Sequence, residues 1–451
     1  MSALTQVYRY RGSSSLQDGP RPRLTLATGH ADQHPLFFDG RVLAPQRTAL
    51  ALTALHRVVA ARFFVPANTL ARTIALADPV VTSGGGWLRF EGFSGCCSAY
   101  ARVDLMPGSC SGQVLGHGST NVDFNAPMRA ALARVRDAAG LELAVGRDTL
   151  QLRSGGDVVT ERRVALPQRW LRGLVEVQSY LATMTPRLRC SGADLLRWLR
   201  ASPRVPTRHT ALWLQRGARG LFASSLPESD AVRISELQRL RVLEPLLPAA
   251  TEVQAYADAE QQASAWVLQL SALRFTLALS AEPWRGFSGE GQALRALMQQ
   301  VQDPAGSPLA ALRAALHWQS RLEVTSLAEC TQRTPTQVDA GLRVLGASGL
   351  VGFDVAEGAY FHRELPFDLS MLADMHPRLA DAQALLAAGA VSITAQSPFA
   401  ASVHSGDVDH QVRELGGELL CTCPWFARHG GERGPCKHVL AAEALRRPSV
   451  P

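Results

Sequence analysis

The sequence predicts an α+β chain of several domains: a β-rich N-terminal and middle body, a helical module ending in a hairpin, and a small Cys/His module at the C-terminus. Three observations predict it. Period-two alternation recurs in two regions, first in Trp87-Leu-Arg-Phe-Glu and Ala99-Tyr-Ala-Arg-Val-Asp-Leu, later across 265–270 and 274–279, as half-buried strands require. Helical spacing followed by a hairpin pattern fills 308–363. Cys421, Cys423, Cys436 and His438 stand at metal-ligand spacing near the end. A chain of 451 residues holds several domains of ordinary size, and composition places them at 1–205, 206–300, 301–368 and 385–451. With 46% hydrophobic and 19% charged residues, a core forms without disulfides.

The polar, Pro/Gly-rich opening gives way near Pro45 to a helix over 46–65. His56, Arg57 and Arg62 break its apolar run, so it reads as a packed helix rather than a membrane span. The first residues carry no apolar leader. Gly84-Gly85-Gly86 opens the first β section, with strands over 87–91, 99–105, 141–145 and 149–153 and a helix over 126–139 between them. Helices over 168–184 and 192–201 follow, then a second β section with 210–214 and the pair 265–270 and 274–279. The tetrapeptide Gly-Phe-Ser-Gly occurs at 92–95 and 286–289, beside a strand each time, which would suit two related β lobes.

The module at 308–367 is more explicit. Leu309, Leu312 and Leu316 line one face of a first helix over 308–319, and a short second helix covers 326–331. Thr334-Pro335-Thr336-Gln337 offers an N-cap, a proline at the first helical position and Gln at N3, which together make a capping box. This third helix runs through Val338, Leu342 and Leu345 to Gly349, placed as a C′ glycine. A hairpin turning at Glu357-Gly358 follows. Three helices and a hairpin is the order of a winged helix.

At the C-terminus the ligands read Cys-x-Cys, twelve residues, Cys-x-His. Three thiolates and one imidazole suit a closed tetrahedral zinc site, whereas reduced structural cysteines would have to reach this spacing by chance. Cys421 and Cys423 end an alternating segment, and Cys436 and His438 enter a helix over 439–447, so the ion would staple a hairpin to a helix start. With the proline after the second Cys and the Cys-Lys-His-Val-Leu-Ala run, this pattern resembles the SWIM zinc finger, a ββα-type module. Gly92-Phe-Ser-Gly, Asn121-Val-Asp-Phe-Asn and the run 360–367 look like stretches of large bacterial members of that family. The resemblance implies one structural Zn²⁺, no catalytic activity, and a role in DNA or protein binding. It also implies a MoxR-type AAA+ ATPase or a von Willebrand A protein as partner.

The net charge of +7 is unevenly placed: residues 1–200 hold 24 Arg against 14 acids, whereas 401–451 balance at six against six. The chain has 45 Arg and one Lys, Lys437, so Arg abundance is weak evidence for phosphate binding, and a lone Lys between two ligands hints at a need for a compact ammonium. Around the ligands, Trp425, Arg428, Arg433 and Lys437 could contact nucleic acid or a protein, with Trp425 as a stacking surface or as core beneath the loop. The winged-helix-like stretch, with five Arg against six acids, is poorly charged for DNA. A better basic candidate spans 161–209, where ten arginines, among them Arg162, Arg163, Arg169 and Arg172, face three acids, with Trp170 and Trp198 interleaved. The alternative there is a solvated arginine-rich face. Cys96, Cys97, Cys110 and His117 make a poor second metal set, since adjacent Cys chelate one ion awkwardly. No P-loop, nucleophile elbow, His-Glu-x-x-His or dinucleotide fingerprint occurs. The expectation is a non-enzymatic cytoplasmic zinc protein that acts as a protein-interaction adaptor, with DNA binding as the alternative and no membrane partner.

Overall fold

The computed structural model describes residues 15–17, 23–25, 36–64, 79–122, 124–164, 166, 168–204, 212–287, 309–365, 377–431 and 434–446. A short hairpin of β1 (Ser15–Gln17) and β2 (Arg23–Thr25) is followed by β3 (Leu36–Val42) and α1 (Pro45–Ala60). Next come β4 (Val80–Gly84), β5 (Trp87–Phe93), β6 (Ala99–Leu105), β7 (Cys110–Val114), β8 (Gly118–Asn121) and α2 (Ala126–Arg134). The N-terminal half closes with β9 (Glu142–Gly146), β10 (Thr149–Ser154), β11 (Asp157–Arg162), α3 (Gln168–Leu181), β12 (Thr185–Cys190) and α4 (Gly192–Ala201). The middle adds β13 (Leu212–Gly217), β14 (Gly220–Ser224), β15 (Val232–Ile234), α5 (Leu237–Leu240), β16 (Glu252–Ala257), β17 (Ala263–Gln269) and β18 (Leu273–Ser280).

An eight-stranded sheet in the order β12-β16-β17-β18-β6-β5-β4-β8 dominates the body. It corrects the expected division at 205/206. β18 pairs with β6 from Leu273↔Leu105 to Leu279↔Ala99, and β16 pairs with β12, so the regions 1–205 and 206–300 share one sheet. Four strands lie on each side of the β6–β18 seam. The two Gly-Phe copies are not at corresponding places about it, since Gly92 and Phe93 end β5 while Gly286 and Phe287 follow β18. They meet instead: the Phe93 and Phe287 rings pack edge to face at 6.0 Å, and the Phe287 N–H donates to the Cys97 carbonyl. A smaller sheet, β11-β10-β9-β3-β7, sits beside the large one.

The central strands are buried on both faces. α1 covers the face carrying Leu88, Phe90 and Gly92, and a Cβ on Gly92 would lie 2.5 Å from a Val59 methyl, so the glycine permits that approach. The opposite face bears Arg89, Glu91, Arg102, Asp104 and Arg274, which the alternation had offered as a solvated face. It is dry. Burying charge is tolerated only with close partners, and these come from farther along the chain.

That region contains α6 (Leu309–Ala314), α7 (Val324–Thr331), α8 (Pro335–Ala347), β19 (Val351–Asp354) and β20 (Ala359–His362) around its own core of Leu312, Leu327, Val338, Leu342, Leu345 and Tyr360. The elements come in the expected order. The capping box forms in both directions between Thr334 and Gln337. Gly349 takes φ +74°, and the Leu350 N–H closes onto the Leu345 carbonyl. The first helix is shorter than its sequence pattern, ending before Trp318, which adopts φ +59°. Asp354, at the end of β19, receives Arg89 at 2.8 Å, Arg102 at 3.1 Å and Arg274 at 2.7 Å, while Arg363 reaches Glu91 at 2.6 Å. Four arginines and the carboxylates of Glu91, Asp104, Asp354 and Glu357 thereby lock this region onto the sheet.

The chain ends with α9 (Pro377–Ala387), β21 (Val391–Gln396), β22 (Phe399–Ser405), β23 (Val408–Leu415), β24 (Glu418–Cys421), α10 (Pro424–His429) and α11 (Lys437–Leu445). The four strands pair as a meander, and α9 packs on α11 through Leu379, Ala382, Leu440 and Ala441. This C-terminal unit therefore starts at α9, earlier than residue 385. No helix among the described residues is long and apolar enough to cross a membrane.

Candidate metal centre

β24 delivers Cys421 from its last residue, and the chain then turns at once into α10, whose N-cap is Cys423. Cys436 is the N-cap of α11 and His438 lies in its first turn. Each sulfur accepts a backbone N–H: Cys421 from Cys423 at 3.5 Å, Cys423 from Phe426 at 3.3 Å, Cys436 from Val439 at 3.4 Å. Amides directed at sulfur, two of them at helix starts, favour thiolates. The anticipated staple between hairpin and helix is present. What the sequence missed is α10, a short helix that makes Cys423 a cap rather than a strand residue.

All four side chains are buried, and their ligand atoms lie within 4.8 Å of one another. His438 Nδ1 stands 3.8 Å from the Cys421 sulfur and 4.0 Å from that of Cys436, so Nδ1 is the ligating nitrogen. A tetrahedron with Zn–S near 2.3 Å and Zn–N near 2.0–2.1 Å has edges of roughly 3.5–3.8 Å, and the site fits that ion with little adjustment. Without a metal, a hydrogen bond from the Cys421 thiol pulls Cys436 well below the ordinary thiol range and drives Cys421 far above it, while burial raises Cys423. A dication removes this conflict by stabilising three thiolates together.

Residues 415–446 match the SWIM zinc finger family. Cys421, Cys423, Cys436 and His438 of the SWIM finger are arranged to bind a single zinc ion, as expected. No curated protein matches the chain. Among solved structures, proliferating cellular nuclear antigen from Entamoeba histolytica is similar over 54% of this chain and 98% of its own, at 10% identity and TM-score 0.37. The DnaN sliding clamp of Bartonella birtlesii, bound to griselimycin, is similar over 54% of this chain and 66% of its own, at 13% identity and TM-score 0.35. Likeness at this level assigns neither fold nor activity.

Of the remaining candidates around the finger, Trp425 and Lys437 have partners within the C-terminal unit. The Arg378 guanidinium lies 4.7 Å over the Trp425 ring, which packs with Phe426 against the finger core. Lys437 is 3.8 Å from Asp381 on α9, Arg428 is exposed, and Arg433 lies outside the described residues. Among the described residues the arginines of the basic stretch lie on several different elements. Arg162 ends β11 and Arg163 follows it, 3.8 Å from Asp148; Arg169 reaches Cys97 from α3, where Arg172 is half-buried; Arg189 and Arg197 pair with Glu252 and Asp194. Its tryptophans pack inward, Trp170 against Phe93 and the half-buried Trp198 against the core. Cys96, Cys97 and Cys110 form no metal cluster among the described residues.

One residue near the zinc ligands was not anticipated. His410 on β23 lays its ring 4.3 Å from that of His438, whose Nε2 is buried with no acceptor among the described residues. Groups that fix a ligating imidazole typically matter 10–100-fold in metal affinity. His410→Ala therefore weakens zinc binding by about that factor in competition with a chromogenic chelator, while the far-UV spectrum of the zinc-loaded protein stays unchanged.

Proposed function

We propose that the protein is a non-enzymatic adaptor of the cytosol, where its thiols stay reduced, and that the zinc-held finger and the winged-helix-like module present surfaces to protein partners. The observation that carries this reading is the pairing around the finger: Lys437 faces Asp381, one Arg446 nitrogen donates to both Glu414 oxygens at 2.8 and 2.9 Å, and Arg378 covers Trp425. Phosphate binding needs free cations in register with a backbone, and three of the cations here face partners of their own, which leaves Arg428 as an exposed one. Four protein ligands also leave zinc no open position for a reacting water. A MoxR-type AAA+ ATPase or a von Willebrand A protein is the partner the family resemblance favours.

Two measurements test the reading. Mixed with such an ATPase on a sizing column, the full-length protein co-elutes at moderate salt, and Cys436→Ser abolishes co-elution. In a gel shift with random duplex and single strands, no complex forms at moderate salt. A shift that persists there and falls steeply with added salt would favour DNA binding through the arginines of 162–208.

A further inference from the structure

The five-stranded sheet ends at β7, with no strand among the described residues beyond it. β7 pairs with β3 from Val42↔Cys110 to Phe38↔Val114 without a register shift. The Leu43 N–H donates to the Ser109 carbonyl and the Leu115 N–H to the Phe37 carbonyl, so Ser109 and Leu115 turn their backbone groups toward β3. Antiparallel alternation makes Ser111 and Gln113 do the same, and aims the N–H and C=O of Cys110, Gly112 and Val114 outward. Residues 111–114 are exposed, the Val114 side chain among them.

Open edges are normally guarded, and others in this fold are. β12 carries Pro186, Arg187 and Arg189 and shifts register after Pro186. β11 carries Asp157, Glu161 and Arg162 and lies against α2, while β21 shifts register after Ile393. Cys110-Ser-Gly-Gln-Val114 has no charge, no proline and no shift. It is also complementary to itself. Laid antiparallel on a second β7 with Gly112 opposite Gly112, Cys110 meets Val114 and Ser111 meets Gln113, so each cross-strand pair matches in polarity. All the outward backbone groups find partners in this register. The row of Ser111 and Gln113 continues into Arg41 of one chain and Asp39 of the other, which are opposite in sign. We propose that β7 is an interface for a second copy of this chain, joining two five-stranded sheets into one across a two-fold axis at Gly112.

So short a contact gives a weak dimer. The mass of the full-length protein by light scattering rises from one chain toward two between about 1 and 100 µM. Val114→Pro removes an outward N–H that β3 does not use, at a position where an edge strand accepts proline. Ser111→Lys instead sets two like charges across the axis from an exposed site. Both variants stay monomeric over that range, with the far-UV spectrum of the unaltered protein. Register is read in a Cys330→Ser chain carrying Ser111→Cys and Gln113→Cys, which oxidised glutathione converts to a covalent dimer. The mass of a single chain at the upper concentration overturns the proposal. So does a dimer that survives either folded variant, or a cysteine variant that stays unlinked.

Discussion

Replacing Cys436 by Ser, or stripping zinc with a chelator, unfolds the C-terminal unit from α9 to α11 and leaves the eight-stranded body intact. The ligand set joins β24, α10 and α11, and the apolar core beneath it is small: Phe399, Ala401, Val403, Val412, Val439 and Ala442 around the cysteines themselves. Structural zinc contributes about 10–16 kcal/mol in finger-sized modules, more than so few side chains supply. The loss should centre on this unit, because the body's much larger core joins it through Leu379, Ala382, Leu440 and Ala441 and is otherwise built from residues of the body. Hydrogen exchange read by mass spectrometry shows it as lost protection over β21–β24 and α11 with unchanged protection in β5, β6, β17 and β18. Retained protection in the finger at zero zinc content would refute it. Acid works the same way. Cys421 and Cys423 are raised in the metal-free site, so protons compete with zinc, and affinity falls as pH falls.

Asp354→Ala destabilises the whole protein by about 3–5 kcal/mol, the cost of leaving buried charge uncompensated. Three guanidinium groups lose a shared carboxylate that is 1% exposed, and the surviving Asp104 already serves all three. Denaturant titration measures the loss, and proteolysis in the hairpin β19–β20 reports whether the helical module lifts from the sheet. Burial alone would raise the Asp354 pKa, but Arg102, Arg89 and Arg274 outweigh it and hold the group well below the usual carboxylate range. A depressed folded-state pKa contributes stability that is present above the unfolded value and is lost as pH falls through the folded one. The ion pairs of Asp354 therefore persist in acid that protonates ordinary carboxylates. A stability unchanged in Asp354→Ala would mean that water reaches the site.

The finger was legible because its ligands and most of the elements that hold them lie within one short stretch of chain. The same holds for α8, whose cap and proline are adjacent letters and whose terminal glycine follows within the same short segment. Contacts between distant segments left no such trace. Nothing in Ala99-Tyr-Ala-Arg-Val-Asp-Leu names Leu273–Ser280 as its neighbour, so the shared sheet was split at a composition change. Alternation also misled in one respect. Arg89, Glu91, Arg102 and Asp104 have the period of a wet face, and a face buried under ion pairs has the same period. The Arg-rich stretch dispersed because its cations sit on different elements and its tryptophans were recruited to the core.

The seam between β6 and β18 also governs how the chain is made. Leu105 leaves the ribosome well over a hundred residues before Leu273, its partner in the finished sheet. At roughly 5–20 residues per second the interval is on the order of ten to thirty seconds. Throughout it the nascent N-terminal half carries an unpaired sheet edge of the kind that recruits other strands. A fragment ending before β18 keeps that edge permanently, and such fragments aggregate where the full chain folds.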